Sequence, residues 1–307
     1  MARPIIIDTD PGIDDAVAIL LAVASPELAV LGLVAVAGNL PLAATAKNAR
    51  SIVELAGRPD LPVYAGCPRP LGRNRIAAED AHGTGGLGDL VLPPPALPPR
   101  PEHGVLYLID ALRGAPPQSI TLCALGPLTN IAMALVAAPE IATGIAELVI
   151  MGGASHGRGN ASPAAEFNIF ADPHAAALVF DNGVPLTMVP LDVTEGVRST
   201  PERIAPIRAL GTRAGAAAAE LLGPRRALGK PPMAMHDPCV IAYLLEPSLF
   251  RWREVNVAIE SESPLAMGLT LIDWRGICGR PPNARVIETV DADGVYRLLA
   301  ERLARLP

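Results

Sequence analysis

The chain reads as an α/β fold, a doubly wound and mainly parallel central sheet flanked by helices (a Rossmann-like arrangement). Three observations carry that expectation. Strand-like and helix-like segments alternate along most of the sequence, the pattern of parallel strands joined by crossover helices. The first apolar run, Ile5-Ile6-Ile7, is short and β-branched, as a strand covered on both faces must be. Half of the residues are hydrophobic while aromatics make up 3%, so a large core is available and must be built mostly from Ala, Val, Leu and Ile. At 307 residues the chain is long for one domain, but α/β folds of this size often form a single unit. Neither an internal repeat nor a clear boundary divides it, so residues 1–307 are expected to form one domain.

Taken in order, the first unit is the most informative. Asp10 precedes Pro11, which biases it toward extended backbone, and Gly12 lets the chain turn. Ala16 to Ala24 is an apolar, helix-compatible run with Asp14 and Asp15 at its start, where a carboxylate caps free amides and suits the helix dipole. Ala29 to Ala37 is the next strand, ending at Gly38-Asn39, and Ala43 to Ala56 the next helix. Leu61 to Ala65 is a third strand. The stretch from Gly66 to Pro101 is irregular and rich in Gly and Pro, and loops that long are usually functional or mobile. Gly104 to Arg113 is helical, Ser119 to Leu125 a strand stopped by Gly126-Pro127, and Leu128 to Val136 a helix. Glu147 to Met151 is a strand closed by Gly152-Gly153. Pro173 to Phe180 is a helix, Val184 to Pro190 a strand and Pro201 to Leu222 helical, and a further helix begins near His236-Asp237-Pro238. Val255 to Ile259 and Arg285 to Val290 are late strands, and Asp293 to Leu306 is the closing helix.

Charge and composition exclude several classes. A net charge of −6 argues against nucleic acid or an anionic membrane as partner, and Arg225-Arg226 is an isolated pair expected on a solvated face. Leu28 to Ala46 and Ile120 to Pro139 lack charge over about a bilayer's span, but Gly, Asn and Pro near their middles split each into a strand and a following element. Asp8 and Asp10 interrupt the N-terminal apolar run, so no signal peptide is visible and a cytoplasmic location is expected. Cys67, Cys123, Cys239 and Cys278 lack metal spacing and read as free thiols, three of them buried.

The chemistry concentrates in the first turn. Asp8, Asp10, Asp14 and Asp15 fall within eight residues, and crowded carboxylates repel unless a cation or protons compensate. Capping a helix employs one carboxylate and leaves the rest unexplained. Oxygen-only ligands suit a hard ion, Ca²⁺ or Mg²⁺. In a parallel sheet this turn lies at the carboxyl edge, where α/β proteins bind ligands. Polar residues recur at other strand ends: Asn39, the Glu166/Asn168 segment, and His236-Asp237 at a helix start. Two lookalikes fail their context. Gly83-Thr-Gly85-Gly-Leu-Gly88 spells a dinucleotide fingerprint without the strand before it or the helix after it. Asp291-Ala-Asp293-Gly294 lacks the remaining ligand positions of a calcium loop and reads as a helix cap.

Asp8-Thr-Asp10-Pro-Gly-Ile-Asp14-Asp15-Ala closely resembles the N-terminal signature of the nucleoside hydrolases, the inosine–uridine-preferring family. The likeness continues at Gly38-Asn39, His82-Gly83, Leu125-Gly-Pro-Leu-Thr-Asn130, Met151-Gly-Gly153, Asn160, Ala165-Glu166-Phe167-Asn168-Ile-Phe-Ala-Asp-Pro173 and Met235-His236-Asp237-Pro-Cys239. The resemblance implies calcium-dependent cleavage of the N-glycosidic bond of ribonucleosides, purine or pyrimidine, with a homodimer or homotetramer as the assembly. It implies Ca²⁺ held by Asp10, Asp15, Asp237 and the Leu125 carbonyl, with Asp10 as general base. Asp14, Asn39, Met151, Asn160, Glu166, Phe167 and Asn168 match the substrate-binding set. His82 and His236 match histidines near the base, His236 being the candidate that protonates the leaving group.

The segment from Gly223 to Met235 departs from that pattern, since it lacks the tyrosines common in members acting on inosine or uridine. Base preference is therefore left open at this point. Three other readings compete, and one of them, a purely structural protein, would have no reason to concentrate carboxylates at one sheet edge. A catalytically silent nucleoside- or ribose-binding protein would keep the sugar ligands but could lose Asp10 or His236, and both are present. An Asp-based phosphatase would need a catalytic lysine, and neither Lys47 nor Lys230 is well placed.

Overall fold

The computed structural model describes residues 2–307 apart from 77, 157, 225–228, 230, 231 and 233. The Arg225-Arg226 pair, Lys230 and much of the Gly223–Met235 segment thus lie outside the described residues. In chain order the elements are β1 (Arg3–Thr9), α1 (Ile13–Val23), β2 (Leu28–Ala35), α2 (Leu42–Leu55), β3 (Val63–Ala65), α3 (Glu79–His82), β4 (Arg100–His103), α4 (Gly104–Arg113), β5 (Ile120–Ala124) and α5 (Thr129–Ala137). They continue with β6 (Ile145–Met151), α6 (Phe167–Ala171), α7 (Pro173–Phe180), β7 (Leu186–Val189), α8 (Leu191–Thr194), α9 (Pro201–Arg208) and α10 (Arg213–Leu221). The last are α11 (Pro238–Leu245), β8 (Phe250–Ile259), β9 (Thr270–Asp273), β10 (Ala284–Val290) and α12 (Ala292–Leu303).

One ten-stranded sheet runs in the order β4-β3-β2-β1-β5-β6-β7-β10-β8-β9. Every pairing from β4 to β10 is parallel, and only β8 runs antiparallel to its neighbours. β1 is central, and its side chains alternate between two cores: Ile5 and Ile7 join one apolar cluster, Ile6 the other. That is why an unbroken Ile run suits this position, since neither face meets water. α1 is buried along nearly its whole length and packs against α2, α10, α11 and α12.

Strand order reverses between β2 and β5 on either side of β1, the switch point at which open α/β sheets form a crevice. The two uncharged stretches resolve as expected, Leu28–Ala46 into β2 and the start of α2, Ile120–Pro139 into β5 and α5. Among the described residues no helix is long and apolar enough to cross a membrane. Cys67, Cys123 and Cys239 are buried free thiols and Cys278 is exposed. Asp291 caps α12, accepting from the Gly294 N–H.

Three local readings needed correction. The helix expected over Pro201–Leu222 is two helices, because Gly211 takes a positive φ of 71° and Thr212 caps a new start. β4 (Arg-Pro-Glu-His) is an exposed edge strand with no apolar run to announce it. β9 and the one-turn helices α3, α6 and α8 were too short to carry a periodic signal.

Candidate active site

The turn after β1 is built to hold carboxylates away from water. Asp15 is fully buried in the first turn of α1, where it accepts from the Gly12 N–H at 2.8 Å and from the Thr9 hydroxyl at 2.6 Å. Capping therefore accounts for this one carboxylate and for none of the others. Asp10 Oδ2 accepts from the Asn39 N–H at 2.6 Å, while Oδ1 is buried without a hydrogen-bond partner. Two glycines make room for that side chain. A Cβ at Gly38 would fall 2.0 Å from Asp10 Oδ2, and one at Gly126 2.5 Å from Oδ1. The glycines after β2 and β5 are thus required by close approach.

Asp14, Asp15 and Asp237 bring carboxylate oxygens within 4.8 Å of one another, all three buried. Asp237 arrives from the far end of the sequence, at the N-terminus of α11. Burial pushes the Asp10, Asp15 and Asp237 carboxyls above their usual range, and their mutual repulsion pushes Asp10 and Asp237 further. A buried, all-oxygen cluster with an orphaned Asp10 oxygen fits a hard divalent cation, which would satisfy the lone pairs and cancel the repulsion. The set that converges most closely differs from the expected ligand set in including Asp14; Asp10 adjoins it through its backbone N–H, which donates to Asp15 Oδ1 at 3.3 Å.

Above the cluster lies a cavity of about 340 Å³. It is lined by Asp14, Asn39, His82, Leu125, Met151, Asn160, Glu166, Phe167, Asn168, His236 and Asp237. Every predicted site residue except the deeper Asp10 and Asp15 therefore faces one space. Glu166 caps α6, accepting from the backbone N–H groups of Asn168 (2.8 Å), Gly153 (3.0 Å) and Ile169 (3.2 Å). Burial outweighs those donors and pushes its carboxyl up to about 7. Asn168 Nδ2 donates to the carbonyls of Leu125 (2.8 Å) and Met151 (3.1 Å), tying the ends of β5 and β6 together. Asn160 Oδ1 accepts from the Phe167 N–H, which anchors the segment before α6.

The two histidines are fixed by different partners. His82 accepts from the Ile13 N–H at Nδ1, which places the proton of a neutral ring on Nε2. His236 Nδ1 lies 2.7 Å from the Thr194 hydroxyl. The same hydroxyl lies 3.2 Å from the Leu191 carbonyl, so when the ring is protonated Nδ1 donates to Thr194, Thr194 donates on to Leu191, and Nε2 is left to exchange a proton. Burial holds His236 below the usual imidazole range, against the opposing pull of Asp14 and Glu195.

Several contributors escaped the sequence reading. Thr194 orients His236 from forty-two residues away with no pattern to mark it. Ile76, Ala78, Asp80 and Ala81 complete the wall near His82 from within an irregular stretch. Behind the cluster Asp8 takes a hydrogen bond from Asn130 Nδ2 at 2.8 Å, and burial pushes its carboxyl up to about 8. Crowding in sequence had pointed to Asp8, which lies outside the converging trio of Asp14, Asp15 and Asp237.

Comparison with known proteins agrees with this geometry. Residues 5–297 match the family model described as inosine-uridine preferring nucleoside hydrolase. The chain is 46% identical to an uncharacterized protein of Schizosaccharomyces pombe and 43% identical to a pyrimidine-specific ribonucleoside hydrolase of Klebsiella pneumoniae, in each case over 99% of both chains. Among solved structures, a purine-preferring ribonucleoside hydrolase from Gardnerella vaginalis superposes with a TM-score of 0.89 at 30% identity, over 98% of both chains.

Proposed function

This chain belongs to the inosine-uridine preferring nucleoside hydrolase family and is a ribonucleoside hydrolase; we propose that it works with Ca²⁺, uses Asp10 as general base and prefers pyrimidine ribonucleosides. The observation that carries the proposal is the buried carboxylate cluster with an unpartnered Asp10 oxygen, set directly under a polar cavity. Asp10, Asp15, Asp237 and the Leu125 carbonyl would hold the ion, with Asp14 beside them. When bound, Ca²⁺ supplies orientation and acidification of a water molecule.

The protein's own groups do the rest. Asp10 accepts the water's proton at Oδ1, the oxygen that no hydrogen bond occupies. The water oxygen bonds to the anomeric carbon as the bond from that carbon to the base breaks. Positive charge develops on the sugar ring in such a reaction, and the Glu166 carboxylate is placed to stabilise it. Asp14, Asn39, Asn160 and Asn168 bind the ribose hydroxyls. His236 takes up a proton at Nε2 from solvent and gives it to the departing base, returning to the neutral ring that Thr194 holds by its other nitrogen.

Pyrimidine preference is supported by the 43% identical Klebsiella enzyme, whose likeness exceeds that of the purine-preferring Gardnerella enzyme. Ribose release from uridine, cytidine and inosine, measured before and after chelation and after Ca²⁺ is restored, tests each part. Uridine and cytidine are expected to turn over faster than inosine, with activity lost on chelation and regained with Ca²⁺. Inosine as the better substrate would end the pyrimidine assignment, and undiminished turnover after chelation would end the metal requirement. No ribose from any nucleoside with Ca²⁺ present would leave a silent nucleoside-binding protein.

A further inference from the structure

A second cleft, of about 500 Å³, opens where the segment after β6 meets α8, β8, the residues after β9 and the end of β10. Its walls are Ser155, His156, Asp192, Val193, Arg253, Trp274, Glu288 and Thr289, none of which lines the active cavity. The aromatic lining is unusual in a chain with only two tryptophans. The Trp274 indole and the His156 imidazole lie within 23° of parallel, their centroids 6.4 Å apart. That is too far for the two rings to lie face to face in contact.

We propose that this cleft is a second ligand site, for a planar heteroaromatic ring carrying N–H donors, the chemical class of a free nucleobase. Trp274 is positioned as a stacking platform. Its indole N–H points back to the Ser155 carbonyl at 3.4 Å, and the Arg253 guanidinium lies over the ring, 5.0 Å from its centroid, so a ligand ring takes the face that Arg253 does not cover. Arg253 is itself oriented by Glu288. The recognising acceptor is Asp192. Its Oδ2 takes both the N–H and the hydroxyl of Ser155, while Oδ1 accepts no hydrogen bond among the described residues. A ring laid on Trp274 can donate an N–H to Asp192 Oδ1. Exposed His156 supplies the second flat wall and can shift with the ligand. A ribonucleoside hydrolase releases free base at every turnover, so a ligand of this class is always produced by the protein itself. The site does not depend on which base the active cavity prefers.

The Trp252→Phe variant leaves Trp274 as the one indole, and its emission is read as free uracil and free adenine are titrated in. A saturable change with at least one base is expected, weakened roughly tenfold by His156→Ala or Asp192→Asn and retained in His156→Phe, since stacking on an aromatic wall is worth about that much per base. Should Trp252→Phe fail to fold, calorimetric titration of the native chain against Asp192→Asn replaces it, with one of two classes of base site expected to vanish. No saturable signal with either base, or one that survives both His156→Ala and Asp192→Asn unchanged, overturns the proposal. Nucleoside turnover reports on the active cavity alone and distinguishes a failure here from a failure of the proposed reaction.

Discussion

The two sides of the active cavity are made differently. On the sugar side, Asp10, Asp15, Glu166, Asn168 and Asp237 are buried and come from the ends of the strands or the first turns of the helices that follow them. Four of the five have their positions set by backbone: Glu166 by three N–H donors, Asp15 by the Gly12 N–H, Asn168 by the Leu125 and Met151 carbonyls, and Asp10 by the Asn39 N–H and by glycines that leave it room. On the proposed base side, Ile76, Ala78, Asp80 and Ala81 come from the irregular Gly66–Pro101 stretch, and Phe167 and His236 are only partly buried. Chemistry that must be held to fractions of an ångström is mounted on the sheet edge. On the proposed reading, discrimination between bases falls to segments that can change without disturbing the sheet.

The largest effect should come from the sugar side. Asp10→Asn keeps the acceptor for the Asn39 N–H but cannot take a proton from water. Turnover of uridine is expected to fall by about 10⁴-fold, the upper end for general acid–base groups, while nucleoside affinity by equilibrium dialysis changes little. Near-native turnover in that variant would remove Asp10 from its role and would undo the contrast drawn between the two sides.

His236 tests the contrast from the other direction. His236→Ala is expected to slow uridine or inosine cleavage by about 10²–10³-fold. It should spare p-nitrophenyl riboside, whose leaving group needs no proton. Equal losses on both substrates would mean that His236 supports ribose or cation, so that the division by side fails.

That division also explains what was legible in the sequence. The strand run Ile5–Ile7, the Asp-Pro-Gly turn and the acidic start of α1 follow from local rules of burial, backbone freedom and dipole, so the acidic turn after β1 could be read residue by residue. Gly38 and Gly126 were read as strand stops. Their closer purpose, leaving room for the Asp10 carboxylate, depends on contacts between β1, β2 and β5 that no local pattern records. The convergence of Asp237 with Asp14 and Asp15 is a property of topology across more than 220 residues, and only the family likeness anticipated it. Thr194 was invisible because its helix is a single turn and its hydroxyl matters only through His236. The base-side wall was read simply as a long irregular stretch, because Gly- and Pro-rich segments carry no periodicity.

Glu166 should give a smaller effect with a definite pH signature. Burial raises its carboxyl to about 7, so the ionised form that stabilises positive charge on the sugar fills in as pH rises through neutrality. The kcat/KM profile for uridine is expected to climb through about pH 7, and Glu166→Gln should flatten that limb and lower the plateau by about 10–100-fold. Stability runs in the opposite sense. The folded state holds this proton more tightly than the unfolded chain does, so the contribution is full below the unfolded value of 4.5 and is lost as pH rises through about 7. The Tm of the native protein, taken relative to Glu166→Gln, should therefore decline from pH 5 to pH 8. A flat difference would mean that the three backbone donors keep the carboxylate ionised throughout.

The smallest expected effect bears most directly on the base side. Ile76 lines the cavity with Ala78 and Ala81 and is half-buried. Ile76→Ala removes three carbons from that wall and makes room where the fused rings of a purine need more of it than a pyrimidine does. A hydrophobic wall discriminates weakly per carbon, and partial exposure weakens it further, so the ratio of kcat/KM for uridine over inosine should fall about three- to tenfold. The change should reside in KM for inosine, because the groups acting on the sugar stay in place and the transition state is stabilised as before. Hydrolysis of p-nitrophenyl riboside and the calcium requirement serve as controls and should not move. A uniform loss on both nucleosides would show that Ile76 holds the segment in place and does not select. An unchanged ratio would place selection elsewhere on the base side, at Phe167, His236 or the residues that precede it.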